Sequence, residues 1–340
     1  MATLMAGLSQ DGASGHSGAA TLPPDRFYCL LDELPLHLIP RRVVSASQVG
    51  NDSDAALFLN PDCIICPAAE LPEDLAGWQE SLSGFALQGT VAWVRDSVAE
   101  CLVPFWLGPR LESVVRGLRP GAPAPLTLDD KTRRRLIDAG ILIPDGYEER
   151  SAQRWKAVLE KSAIAFQQKG YAPVADLIHP FHIAALRRYY RHLIRTGAIK
   201  LGDGQSPRRY VAYNEPVARF FHRCMSAKLS ALAGQVLKPS YVYLASYLSG
   251  AELKKHTDRE QCEFSLTLCL DFSPEPALES PWPIRLDTPA GTVAVYQALG
   301  DALAYRGTRL PHYRDILGAG QTSTSIFFHY VPLEFAGSLG

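Results

Sequence analysis

His256-Thr257-Asp258 and, 56 positions beyond His256, His312 are the residues of this chain whose types and spacing suit metal chemistry. In an extended segment, residues two apart point to the same side, so one imidazole and one carboxylate can reach a common ion while Thr257 faces away. A second imidazole from another strand completes two His and one carboxylate on one face of an octahedron, the ligand set of non-haem Fe(II) sites. Three positions then stay open, enough for a bidentate co-substrate and dioxygen together. Alone the tripeptide carries little weight, because a chain with nine His residues can produce it by chance.

Other reactive side chains have plainer readings. Cys63-Ile64-Ile65-Cys66 has the spacing of half a zinc or redox site, but no second close pair follows it. His179 and His182 flank Pro180 at a helix start, which suits capping or a surface position. His329 reads as a buried or edge histidine. Arg187, Arg188, Arg191 and Arg195 read as a solvated helix face, and so does the run Arg133-Arg134-Arg135.

The elements that must position the triad follow from periodicity. Phe264, Leu266, Leu268, Leu270 and Phe272 alternate with Ser265, Thr267, Cys269 and Asp271, which predicts a strand with five apolar side chains on one face. Tyr241–Leu248, Thr292–Gln297, Ala302–Arg306 and Thr324–Val331 also read as strands, separated by turn-forming Gly and Pro. Upstream, Trp155 to Phe166, Phe181 to Leu193 and Phe220 to Leu232 carry apolar residues at helical spacing and predict three amphipathic helices. Helices followed by seven or eight strands indicate an α+β chain whose C-terminal part is a jelly-roll or related double-sheet domain with helices packed on it.

The N-terminal part reads less sharply. Phe27 to Cys66 suits short strands or loops, and Val91 to Leu118 reads as helical pieces interrupted at Pro104 and Pro109. A capping box of Thr127 with Asp130 predicts a helix ending near Gly140, before a strand at Ile141–Pro144. A polar stretch at Glu148–Ser151 marks a boundary, giving a flexible tail over 1–24, a smaller mixed or helical N-terminal accessory domain over 25–150, and the metal domain over 151–340.

Bulk properties exclude several classes. A hydrophobic share of 47% in 340 residues is that of a globular chain, and a net charge of -1 offers no global attraction to nucleic acid or an anionic membrane. No apolar run is long enough to cross a bilayer and no signal peptide opens the chain, so a cytoplasmic location is expected. Seven scattered cysteines, an odd number, argue for reduced thiols.

In order along the chain stand Gly170-Tyr171 and a long helix, a Tyr-containing strand, His256-x-Asp258, the turns Pro289-Ala290-Gly291 and Ala298-Leu299-Gly300-Asp301, and Tyr305-Arg306-Gly307 leading to His312. As a set, over about Gly170 to Val331, they resemble the Fe(II)- and 2-oxoglutarate-dependent dioxygenases, in particular the prolyl-hydroxylase-like branch. The resemblance implies a double-stranded β-helix fold, with His256, Asp258 and His312 as iron ligands and catalytic residues. It also implies consumption of O2 and 2-oxoglutarate, with ascorbate as an accessory reductant. The reaction implied is hydroxylation of a C–H bond in a peptide, protein side chain or small biosynthetic intermediate. The N-terminal domain would then serve substrate recognition, for example of a leader-bearing peptide, or homodimer contacts. The rival reading is a non-catalytic metal-binding jelly roll or ligand sensor.

One departure from the branch bears on the co-substrate. Its members commonly carry Arg or Lys nine to eleven residues after the distal His, to pair with the far carboxylate of 2-oxoglutarate. Here those positions are Gln321, Thr322 and Ser323, none of them cationic. Strand alternation nominates Arg314 instead, two residues after His312 and turned to the same side, with Arg285 and Arg306 next in line. Tyr247, Thr322, Ser323 and Thr324 would supply neutral hydrogen bonds to the same carboxylate.

Overall fold

A computed structural model describes residues 22–41, 56–96, 100–119, 123–124, 127–175 and 177–340, without the side chains of 148, 149, 151 and 154. All but the last three residues of the expected tail lie outside this range. Mixed α and β structure fills the rest, with every sheet pairing antiparallel.

The N-terminal region holds β1 (Leu57–Leu59), β2 (Ile64–Pro67), β3 (Thr90–Asp96), β4 (Cys101–Leu107) and β5 (Leu142–Pro144). Strands β3 and β4 correct the helical reading of Val91 to Leu107. Val91, Ala92, Trp93 and Val94 are all buried, and such a run has no period by which helix and strand could be told apart. Pro104 fits in β4 because that strand lies at one side of the order β2-β3-β4, where a missing amide donor is tolerated. A helix does follow at Pro109–Arg116, with Pro109 in its first turn. The next helix, Asp130–Asp138, is capped by Asp129, whose side chain accepts from Thr132 N at 2.9 Å, in place of the expected Thr127 box. Gly140 stands just past its end at φ +71°.

The remaining strands are β6 (Tyr171–Val174), β7 (Lys200–Leu201), β8 (Arg209–Tyr213), β9 (Leu237–Tyr247), β10 (Leu253–His256) and β11 (Phe264–Ser273), followed by β12 (Ile284–Thr288), β13 (Gly291–Val295), β14 (Ala302–Arg306), β15 (His312–Arg314) and β16 (Thr322–Pro332). Seven make a major sheet in the order β6-β14-β11-β16-β9-β8-β7. Four make a minor sheet in the order β10-β15-β12-β13. Two buried clusters lie on this side of the major sheet, one with minor-sheet residues and one with residues of the flanking loops. Ile284 and Leu286 of the minor sheet pack with Leu303 and Tyr305 of the major one, and Trp282 and Leu317 pack with Ala245, Tyr247, Cys269 and Phe327.

The opposite face of the major sheet carries the helices Tyr147–Lys169, Pro180–Arg195, Pro216–Cys224 and Ser226–Ala233. The last two meet at Met225 and replace the single helix expected over Phe220 to Leu232. Phe27, Trp106, Leu186, Phe221, Leu268 and Phe328 belong to one buried cluster, so the N-terminal region and the major sheet bury apolar surface against the same helices.

Three further expectations change in the packed chain. Strand β11 is bulged between Cys269 and Asp271, which sends Phe272 to the inter-sheet side with Tyr247 and Trp282. The five-residue apolar face is therefore four residues, because an inserted residue shifts the alternation by one. Asp271 turns to the helices instead, where it accepts from Arg187 Nε at 3.0 Å and Arg191 Nη2 at 2.8 Å. Arg187 is wholly buried, not solvated: its Nη1 donates to Leu38 O and its Nη2 to Glu275, because the N-terminal segment covers that helix face. Cys101 and Cys224 form a disulfide against the expectation of reduced thiols, brought to a Cα separation of 5.4 Å by packing of β4 on a helix 123 residues later. No described helix is long and apolar enough to cross a membrane.

Candidate metal centre

His256 closes β10 and His312 opens β15, and the two residues are paired in the register of the minor sheet. Their rings lie 4.4 Å apart between centroids. Asp258 follows just after the end of β10, so loop geometry as well as strand alternation brings it in. Its amide donates to Gly307 O at 2.9 Å, which ties this loop to the turn after β14.

The imidazoles are oriented from behind. His256 Nδ1 lies 2.7 Å from Lys254 O, and His312 Nδ1 lies 3.0 Å from Leu310 O. A carbonyl can only accept, so each Nδ1 carries a proton and Nε2 is the nitrogen each ring turns toward Asp258. Both Nε2 atoms converge on one oxygen: Asp258 Oδ1 is 3.6 Å from His256 Nε2 and 3.5 Å from His312 Nε2. With metal–ligand bonds of about 2.0–2.2 Å, two ligands of one ion lie no more than about 4.4 Å apart, so these separations fit a shared cation. Within the triad, His312 is buried while the His256 side chain is one-third exposed, which leaves an open side.

The other carboxylate oxygen is occupied. Ser265 Oγ donates to Asp258 Oδ2 at 2.9 Å and lies 2.9 Å from His329 Nδ1. Oδ2 is thereby held away from the imidazoles, and Oδ1 is left as the oxygen that faces them. Burial alone would raise the Asp258 pKa, but the two imidazoles and the nearby His329 outweigh it and hold the carboxyl well below the usual carboxylate range. Its carboxylate in turn raises the His256 pKa, against the opposing pull of burial.

Arg314 shares the face of His312 and is 3% exposed. Its Nη1 donates to Trp282 O at 2.5 Å and its Nη2 to Gln297 Oε1 at 3.2 Å, while its Nε has no partner within the protein. No carboxylate among the described residues pairs with it. Arg285 and Arg306, by contrast, are engaged with Asp315 and Glu263. Tyr247 and Ser323 are paired across β9 and β16 on the inter-sheet side, and Ser323 Oγ and Ser325 Oγ are buried without partners. Thr324 is turned the other way: its hydroxyl donates to Ser246 at 2.8 Å. Thr322 is two residues along the same strand and shares that outward face.

Several contributors are absent from the sequence reading. Ser265 and Thr267 look like the solvent face of β11, yet they are 1% and 0% exposed, with Asp258, Cys262 and His329 against Ser265 and Tyr305 against Thr267. Ser325 and Gln297 gave no signal of their own. Of the histidines set aside, His179 caps its helix, His182 is buried on Pro104 O and not at the surface, and His329 is buried on Ser265. A cleft of about 930 Å³ lined by Asp62, Asp96, Phe105, Asp138 and Trp155 contains no member of the triad.

No protein-family model matches the sequence, and no curated protein does. Solved structures do resemble it. The non-haem α-ketoglutarate-dependent epimerase SnoN from nogalamycin biosynthesis aligns with a TM-score of 0.44 and 15% identity, over 52% of this chain and 83% of that one. A Pseudomonas putida prolyl-4-hydroxylase aligns with a TM-score of 0.41 and 16% identity, over 51% and 98%. HygX from Streptomyces hygroscopicus, with nickel and 2-oxoglutarate bound, aligns with a TM-score of 0.42 and 12% identity, over 52% and 87%.

Proposed function

We propose that this chain is an Fe(II)- and 2-oxoglutarate-dependent oxygenase whose two facing sheets form a double-stranded β-helix around the metal centre. The convergence of His256 Nε2 and His312 Nε2 on Asp258 Oδ1 carries this reading. Two imidazoles and one carboxylate, with an open side, are the ligand set of non-haem Fe(II) oxygenases. Iron bound there supplies the redox chemistry that couples decarboxylation of 2-oxoglutarate to succinate with oxygenation of a substrate C–H bond.

The protein's own groups divide the remaining work. Lys254 O and Leu310 O fix the tautomer and direction of the two imidazoles. Ser265 keeps Asp258 bound through one oxygen, so the open positions stay free for co-substrate and O2. Arg314 pairs with the distal carboxylate of 2-oxoglutarate, because a buried guanidinium without an acidic partner is costly and a carboxylate offers it a bidentate match. Ser323, Ser325 and Tyr247 lie on the inter-sheet side and serve the same carboxylate, whereas Thr322 and Thr324 face away.

The substrate class proposed is a peptide, a protein side chain or a small biosynthetic intermediate. Residues 25–150 are proposed as the recognition or homodimer region. Succinate release with Fe(II), ascorbate and 2-oxoglutarate tests the reading. Absence of succinate from folded, iron-loaded protein, with and without candidate substrates, would favour a non-catalytic metal-binding or sensor protein.

A further inference from the structure

Asp258 stands between two sets of metal-ligating atoms. Beyond its Oδ2, Cys262 from the turn Glu260–Cys262 and His329 from β16 each place a ligand atom within 4.8 Å of Asp258 and of one another. Both are sealed from solvent, at 1% and 6% exposure. The Ser265 hydroxyl bridges the gap, 2.9 Å from Asp258 Oδ2 and 2.9 Å from His329 Nδ1. Tyr241 Oη lies 3.0 Å from Cys262 Sγ on the remaining side.

We propose that Asp258, Cys262 and His329 form a second, thiolate-containing site for zinc, and that it excludes simultaneous occupancy of the His256–Asp258–His312 triad because both sites need Asp258. Zinc takes Cys, His and Asp ligands together, with Zn–S about 2.3 Å and Zn–N or Zn–O about 2.0–2.2 Å. At tetrahedral angles two ligands at those lengths lie about 3.4–3.7 Å apart. The three atoms therefore close by up to about 1 Å as the Ser265 hydroxyl rotates out of the gap.

Charge explains the choice of ion. Carboxylate, thiolate and neutral imidazole cancel a divalent cation, and a neutral complex is the least costly to hold where solvent is excluded. The triad, with one carboxylate, leaves a residual positive charge and has the more exposed ligand in His256. Thiolate also favours borderline-soft zinc over harder cations, and Cys262 gives up its proton on binding. Zinc drawing Asp258 toward Cys262 leaves His256 and His312 without their third ligand. Only this consequence for iron rests on the oxygenase reading; the site itself does not.

Cobalt(II) is the probe, since a thiolate ligand gives it a sulfur-to-metal charge-transfer band that a purely nitrogen and oxygen ligand set lacks. Full-length protein with Cys63→Ser and Cys66→Ser removes the Cys-x-x-Cys pair from consideration, and His256→Ala disables the triad at its exposed ligand. One equivalent of Co(II) should then produce the charge-transfer band, and equimolar Zn(II) should bleach it. Adding Cys262→Ser should abolish the band, with at least a tenfold loss of zinc affinity, while the triad-intact Cys262→Ser protein keeps its Fe(II) affinity. Absence of the band in the folded His256→Ala protein overturns the proposal, as does a band that survives Cys262→Ser. Should Cys262→Ser not fold, Cys262→Ala makes the same test. Loss of Fe(II) binding or succinate release alone would bear on the oxygenase reading and leave this site standing.

Discussion

Asp258 and Gly307 share a space that only one side chain can fill. A Cβ on Gly307 would overlap Asp258 Oδ2, and it would also approach Cys262 O to 2.5 Å and Ser265 Oγ to 2.8 Å. The same glycine accepts the Asp258 amide hydrogen bond at 2.9 Å. Gly307→Ala should therefore displace the carboxylate and weaken Fe(II) binding by about 10- to 100-fold, the range seen when groups supporting a metal ligand are disturbed. Calorimetric titration with Fe(II), alongside circular dichroism to confirm folding, checks it. Unchanged affinity would show that Asp258 does not depend on this close approach.

His256→Ala, Asp258→Ala and His312→Ala should each abolish iron-dependent succinate release while the protein still folds. Ligands of an open metal site serve chemistry more than stability. Wild-type turnover in any of the three would remove that residue from the centre. Ser265→Ala should be milder, with about a 10- to 100-fold loss of Fe(II) affinity, because it frees Oδ2 without removing a ligand. Ser265→Thr, which keeps the hydroxyl, should recover most of that loss.

Arg314→Leu should raise the apparent 2-oxoglutarate constant at least tenfold, the size expected from losing about 1.5–3 kcal/mol of charge-assisted hydrogen bonding. Iron affinity should hardly change, since Arg314 is not a ligand. Initial rates of succinate release against 2-oxoglutarate concentration give the constant. An unaltered dependence would take Arg314 out of the co-substrate site.

Acid should destabilise the fold through buried histidines outside the triad. His182 and His222 are buried on the carbonyls of Pro104 and His329, and burial pushes the pKa of each down to about 3. An unfolded histidine titrates near 6.5, so below that pH the unfolded chain binds protons that the folded chain refuses. Their stabilising contribution is complete above about 6.5 and is lost as pH falls toward about 3, at up to about 1.4 kcal/mol per pH unit for each. Urea midpoints at pH 7.5, 6 and 5 should fall in that order. His182→Gln should flatten the slope, and parallel slopes in the two proteins would show that His182 is not refused a proton.

Local pattern was enough to find much of this molecule. The alternation of Phe264 to Leu270 located β11, helical spacing located the helices around Phe166 and Tyr189, and His256, Asp258 and His312, nominated by type and order, come within 4.8 Å of one another. These features depend on backbone periods of two and 3.6 residues, which a linear chain displays directly. The hairpin β3–β4 was misread because Val91 to Val94 is buried on both faces and shows no period.

What tertiary structure alone decided was everything set by a second segment. The bulge in β11 moved Phe272 to one face and Asp271 to the other through its pairing with β16. Coverage by the segment 258–262 and by His329 turned Ser265 from an apparent surface residue into the support of Asp258. Packing of the N-terminal segment converted Arg187 from a solvated cation into a buried one tied to Leu38, Asp271 and Glu275, and joined Cys101 to Cys224. The sequence could nominate His256, Asp258 and His312, but a contact such as Arg187 with Leu38 joins residues 149 apart, and only the folded chain makes distant residues neighbours.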